Sequence, residues 1–137
     1  MKKNDKVIAL CEDYTYDGMG IVRIDGFLLF VKGLLVGEEA ELIVTMVKKH
    51  YGYGKVLRLI KESQERVTPP CPLAGKCGGC QLQHMSKAHQ AWFKKHQTQT
   101  AMRRIGGIET KVNDVLCMED AWHYRNKAQI PFSVSEN

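Results

Sequence analysis

Apolar and polar positions alternate along roughly the first sixty residues of this chain and then stop alternating. Lys6 to Cys11 (KVIALC) reads as a first strand, and Tyr14 to Gly20 (YTYDGMG), with Asp17-Gly18 and Gly20, as the turn after it. Ile21–Ile24 and Phe27–Val31 flank Asp25-Gly26, a dipeptide suited to the type I′ turn, whose two central residues both need positive φ; the pattern predicts a hairpin. Gly33 to Gly37 reads as a loop. From Glu39 to Lys48 the chain places Ala40, Leu42, Val44 and Met46 on one face and a mixed set (Glu41, Ile43, Thr45, Val47) on the other. A fifth strand, Tyr53 to Ile60, follows a short connection around His50-Tyr51-Gly52. Five short strands with no helical period between them predict a small closed or nearly closed barrel of the OB type, a closure that also protects the sheet edges.

Periodicity is lost from Lys61 to Pro70, which places a domain boundary there. Ser86 can cap a helix from Lys87 to about Ile105, ended by Gly106-Gly107. Ala88, Ala91, Trp92, Thr98, Ala101, Met102 and Ile105 fall near one face of it, and Trp92 and Met102 read as core. Five bases and no acid lie on this helix. Lys111 to Cys117 is strand-like, and an apolar run from Ala128 to Val134 starts another strand. The fold class expected is mainly β followed by α+β: a five-stranded OB-like barrel over residues 1–62, a metal-binding cysteine loop over 63–85, and the start of a small α/β central domain over 86–137.

Composition narrows the function. No apolar run approaches the roughly 18 residues of a membrane span, and no apolar stretch follows the basic N-terminus as in a signal peptide. A cytoplasmic protein with no membrane partner is expected, and a monomer. Five cysteines is an odd number, which argues against a complete disulfide framework. Cys11 and Cys117 stand alone in apolar surroundings and read as small buried hydrophobes. The net charge of +5 is unevenly carried: up to Glu41 acids outnumber bases eight to five, whereas from Leu42 to Arg66 bases lead six to two. That asymmetry points to an anionic partner, nucleic acid being the commonest.

Two stretches carry candidate chemistry. Cys71, Cys77 and Cys80, at C-x5-C-x2-C spacing with Gly78-Gly79 between the last pair, read as a metal-thiolate loop. Glycine permits the tight bend such a pair needs, and Pro69, Pro70 and Pro72 stiffen its entry. Zinc would accept these three cysteines with His84, whereas a [4Fe–4S] cluster needs a fourth thiolate from Cys11, Cys117 or a residue outside the chain. The second stretch is Lys48, Lys49, His50, Tyr51, Tyr53 and Lys55, with Arg58 beyond it. Cations interleaved with aromatic rings are what single-stranded RNA requires, for phosphates and for stacking bases. Arg125 and Lys127 in Tyr124-Arg125-Asn126-Lys127 are similar in kind. A glycine-rich turn for S-adenosylmethionine, a P-loop and a Ser/His/Asp set are all missing, so no catalytic residue is assigned in this chain.

CPLAGKCGGCQLQH, preceded by SQERVTPP and followed by a basic helix and WHYRNKAQIPF, resembles the N-terminal part of the bacterial RNA uracil-5 methyltransferases that modify 23S ribosomal RNA. The resemblance covers essentially the whole chain, with CGGCQLQH matching the family's iron-sulfur branch. It implies a TRAM domain, an OB-like RNA-binding barrel, over the first sixty or so residues, with Tyr16–Gly20 and Gly37-Glu38 in its loops. It implies that Cys71, Cys77 and Cys80 are three ligands of a [4Fe–4S] cluster whose fourth lies downstream, and that ribosomal RNA is the partner. The family's catalytic cysteine and S-adenosylmethionine site belong to a C-terminal domain that this chain lacks, so the chain alone is expected to be inactive.

Overall fold

A computed structural model describes residues 1–127 and 129. Five strands close into a barrel: β1 (Lys6–Tyr14), β2 (Gly20–Ile24), β3 (Phe27–Val31), β4 (Glu39–Val47) and β5 (Tyr51–Lys61), in the order β1-β2-β3-β5-β4. All neighbours are antiparallel except β3 and β5, which run parallel and complete the barrel. The predicted hairpin is present, with Asp25 at φ 49° and Gly26 at φ 81°, as a type I′ turn demands. Inward positions of β1–β4 pack into one core: Cys11, Val22, Leu29, Val31, Ala40, Leu42 and Val44, joined by Leu34 from the β3–β4 loop, with the partly buried Val56 and Leu59 of β5 against it. Cys11 is buried as expected, and desolvation pushes its thiol up to about 12, which leaves it an inert packing group.

Two strands are longer than their pattern indicates. β1 continues to Tyr14 because a bulge between Cys11 and Asp13 resets the alternation. β5 begins at Tyr51, since Tyr51 and Gly52 pair with Leu28 and Leu29 of β3 rather than forming a connection. Gly52 and Gly54 face inward where β5 crosses β3, and a Cβ on Gly52 would lie 2.6 Å from the Met46 carbonyl oxygen. Gly52→Ala is therefore expected to destabilise the barrel by about 1–3 kcal/mol, read by urea denaturation, because the clash is with backbone and cannot be relieved by a rotamer change. Wild-type stability in that variant would contradict the crossing.

A second, smaller core of Tyr14, Leu35, Met85 and Phe93 joins the barrel to the segment beyond it. Helix α1 (Lys87–Arg104) starts at Ser86, whose hydroxyl accepts from the His89 N–H at 3.0 Å. It turns over at Gly106-Gly107, with Gly107 at φ 62°. Its contact face differs from the expected one. Phe93 is buried, whereas Trp92 is 43% exposed and Met102 only partly buried, because α1 meets the barrel through His89, Phe93 and Gln97, one turn apart, all reaching Tyr14. Two of those three are polar, so an apolar stripe could not mark them.

Lys111–Cys117 is not a strand. It has no pairing partner among the described residues and is strapped along α1 by side chains instead, with the Val112 N–H donating to Gln99 Oε1 at 2.9 Å and Lys95 reaching Asp114 at 2.6 Å. That lysine holds the exposed Asp114 carboxyl below its ordinary pKa. Cys117, expected to be buried, is exposed in consequence. The apolar run of 128–134 lies outside the described residues save for Gln129, which is not in a strand.

Candidate nucleic-acid interface and cysteine loop

Because Gly52 and Gly54 point inward, Tyr51, Tyr53 and Lys55 point outward from β5, and the parallel register sets Phe30 beside Tyr53. Phe30, Tyr51 and Tyr53 form a closed aromatic triangle with ring centroids 5.5, 5.8 and 5.9 Å apart. Tyr51 is 37% exposed and Tyr53 and Phe30 are partly buried, so the rings prop one another and none is fully withdrawn from solvent. Lys48, Lys49 and His50 crown the β4–β5 turn above this triangle, all exposed, and Lys55 and Lys32 continue the face below it. Arg58 lies past a β5 irregularity, 3.7 Å from Glu41. The structure thus gathers six of the seven residues singled out on this stretch and adds Phe30 and Lys32, which sequence reasoning missed. Alternation in FLLFVK placed both outside; what was not readable was that β3 would lie parallel to β5.

Arg125 and Lys127 do not join this face. Arg125 stands over its neighbour Tyr124 at 5.8 Å, and a separate cleft brings both near Gly79–Gln83, on the far side of the cysteine loop from the barrel.

The cysteine loop is pinched at its neck. Arg66 and Met85 form a one-residue bridge, flanked by Val67 N–H donating to the His84 carbonyl (3.0 Å) and Ser86 N–H to the Glu65 carbonyl (2.8 Å). The Ser86 hydroxyl also donates to the Glu65 carboxylate. Arg66 then anchors the neck to the barrel. Its guanidinium meets Glu38 in a two-pronged pair, Nε to Oε1 at 2.5 Å and Nη2 to Oε2 at 2.6 Å, and also donates to the Gly33 carbonyl. Glu38 is fully buried and accepts two further bonds, from the Leu35 and Ser63 N–H groups. Burial alone would raise its pKa; the Arg66 bond and the two backbone donors outweigh it and hold the carboxyl below the ordinary glutamate range.

A second tie runs through Tyr14, whose hydroxyl accepts from the Val36 N–H at 2.8 Å and can give its own proton to an accepting His89 Nε2 at 2.7 Å. Desolvation keeps His89 neutral to lower pH than usual, consistent with that accepting role. Trp92 stacks between His89 and His96 at 5.2 and 4.8 Å, and His96 reaches Asp13 at 2.9 Å.

Within the loop, Gly75 and Gly78 take positive φ (81° and 75°), and one tight turn runs from Cys71 to Ala74. Cys71 is partly buried, Cys77 and Cys80 are exposed, and all three thiols are free. Their softness and clustering fit a thiolate-bound metal, yet among the described residues no three ligating side chains converge. His84 shares a cleft with Cys80, and its Nε2 is buried without a partner. Burial first, and then the Arg66 charge, lowers its pKa, so the ring is neutral.

Residues 4–57 match the TRAM domain family. That stretch is the barrel just described, from before β1 into β5. Residues 4–57 are similar to a TRAM domain. A protein of Halalkalibacterium halodurans called an uncharacterized RNA methyltransferase is 45% identical over 99% of this chain and 30% of its own length. One of Listeria innocua with the same description is 44% identical over 96% of the chain and 29% of its own length. Among solved structures, a conserved protein of Methanococcus maripaludis is 29% identical, with 42% of this chain and 83% of that one covered at a TM-score of 0.41. The chain therefore spans about 30% of the length of the RNA methyltransferases it matches, and the likeness runs through the cysteine loop and helix α1 as well as the TRAM domain. Among the described residues no helix is long and apolar enough to cross a membrane.

Proposed function

We propose that this chain is the RNA-holding part of an RNA methyltransferase, that its TRAM barrel grips single-stranded RNA across the Phe30–Tyr51–Tyr53 triangle, and that the full enzyme methylates C5 of a uridine in 23S ribosomal RNA. The observation that carries the RNA reading is the triangle itself. Three partly exposed rings, flanked along the chain by the exposed Lys32, Lys48, Lys49 and Lys55, put stacking surfaces and phosphate partners close together. A structural cluster would bury its rings, and this one leaves Tyr51 open at the surface. The names of the relatives support the methyl-transfer part, and the resemblance of CGGCQLQH supports uracil C5 and ribosomal RNA.

Cys71, Cys77 and Cys80 are proposed as three ligands of a [4Fe–4S] cluster in that enzyme. Bound there, the cluster would supply a cross-link that holds the loop in one shape. The chain's own contribution is the stiff Pro69-Pro70 entry and the neck at Arg66–Met85, which fix both ends of the loop. Zinc on Cys71, Cys77, Cys80 and His84 is the second reading, favoured by the unpartnered His84 Nε2.

Anaerobic purification and metal analysis decide between them. Brown protein with iron and sulfide in equal amounts, lost in Cys77→Ser, is expected; colourless protein with one zinc per chain, lost also in His84→Ala, would overturn the cluster assignment.

A further inference from the structure

A cleft of about 470 Å³ opens between the barrel and the cysteine loop, with Gly54 and Lys55, the residues that follow Tyr53 on β5, in its wall. Lys32 and Lys55 line its barrel side, and Cys80, Gln81, Gln83 and His84 its loop side. We propose that this cleft seats one unstacked nucleotide of the RNA, with Lys32 and Lys55 on its phosphate and Gln83 and His84 reading the edge of its base. The proposal rests on the RNA-binding reading of the barrel and names where that RNA leaves the triangle.

Three observations point to this occupant. Among the described residues Gln83 Oε1 and His84 Nε2 are both buried without a hydrogen-bond partner, an arrangement that is destabilising unless something supplies the missing bonds. A base edge carries both donors and acceptors, and a neutral imidazole nitrogen can match either through its tautomer. The charge of the walls selects an anion. Lys32 and Lys55 stand beside Arg66, whose charge is matched by Glu38 and three of whose five N–H donors go to Glu38 and Gly33. Lys32 spends one of its three donors on the Gly75 carbonyl at 3.3 Å, across the cleft between barrel and loop, and keeps two for a phosphate. The third observation is continuity. Tyr51, Tyr53 and Lys55 point the same way at successive outward positions of β5, so a strand stacked on the rings arrives at Lys55 and hence at the cleft. The volume is within the range of about 300–1,000 Å³ usual for small-ligand pockets.

The test uses the whole chain and short RNAs carrying 4-thiouridine at each position in turn, photocrosslinked and mapped by mass spectrometry. One position is expected to crosslink within 81–84 while its neighbours crosslink to Tyr51 or Tyr53. In parallel, Gln83→Ala and His84→Ala should each weaken binding about 5- to 50-fold for the preferred base and flatten the preference among bases, with the salt slope unchanged. Lys32→Ala, an exposed position that should fold normally, is expected to weaken all sequences alike and reduce the slope by about 0.7. If Tyr51→Ala weakens binding while the cleft variants keep wild-type affinity, base preference and crosslinks, the nucleotide seat is wrong and RNA binding by the barrel stands. Absence of any RNA binding overturns both. Loss of bound metal in His84→Ala with RNA affinity intact would assign the cleft to the metal and overturn the seat.

Discussion

Arg66→Met is expected to lower the stability of the chain by about 3–5 kcal/mol, the range for removing one partner of a buried ion pair. Glu38 is wholly buried, so the carboxylate left behind has no water to turn to, and its two backbone donors neutralise none of its charge. The loss is a large share of the 5–15 kcal/mol that holds a typical domain together, and on thermal unfolding should move Tm by on the order of 10 °C or more. Arg66→Lys should recover only part of it, because an ammonium cannot reproduce the two parallel N–H···O bonds nor the third to Gly33. The same pair fixes the sign of the pH response. Glu38 has a folded-state pKa below its unfolded value, so its contribution is fully present above about pH 4.5, where the unfolded glutamate is ionised, and is lost as pH falls through the lower folded value. Wild-type protein should therefore lose stability steeply on acidification below about 4.5, and Glu38→Gln, already uncharged, should show a flatter acid limb from a lower plateau. An Arg66→Met variant as stable as wild type would mean the neck of the cysteine loop is not latched to the barrel through this pair.

Replacing Tyr51 and Tyr53 together by alanine is expected to weaken single-stranded RNA binding at least about 30-fold, since each stacked base is worth about 1–3 kcal/mol. The double Tyr→Phe variant should bind within about twofold of wild type, because stacking needs the ring and not the hydroxyl. These two outcomes separate a stacking platform from a patch of packing: rings that only supported the barrel would change unfolding and leave affinity per folded molecule untouched. Neither variant should alter the salt dependence, because neither removes a cation. Fluorescence anisotropy on protein confirmed folded by circular dichroism reads all three expectations.

The barrel was legible because its signals are local. Asp25-Gly26 demanded one turn type, and alternation in β4 separated Ala40, Leu42 and Val44 from the outer face without reference to any other strand. The capping of α1 by Ser86 and its stop at Gly106-Gly107 were legible for the same reason. What failed depended on partners far away in sequence. Lys111–Cys117 has strand composition but no free edge to pair with, so it follows α1 on hydrogen bonds from Gln99. Trp92 looked like core by its spacing, yet it meets the Tyr14 ring at 6.3 Å and stays 43% exposed, because Tyr14 offers α1 its ring to Phe93, its hydroxyl to His89 and its backbone carbonyl to Gln97. Glu38 gave no sign of burial, since a glutamate before a strand reads as solvent-exposed until Arg66, 28 residues on, is known to reach it. Six residues of the proposed RNA face were legible in the Lys/Tyr interleaving of 48–55. The other two, Phe30 and Lys32, needed the parallel pairing of β3 with β5.

The central claim is that the lysines around the aromatic triangle hold RNA phosphates. The most direct test is the affinity of the chain for single-stranded RNA measured across a range of salt concentrations. Four lysines, Lys32, Lys48, Lys49 and Lys55, predict a slope of log K against log salt of about −3, at roughly −0.7 per phosphate neutralised, falling to about −1.5 when Lys48 and Lys49 are both changed to alanine. Binding that is absent at low salt, or whose slope is the same in wild type and Lys48→Ala/Lys49→Ala, would contradict it.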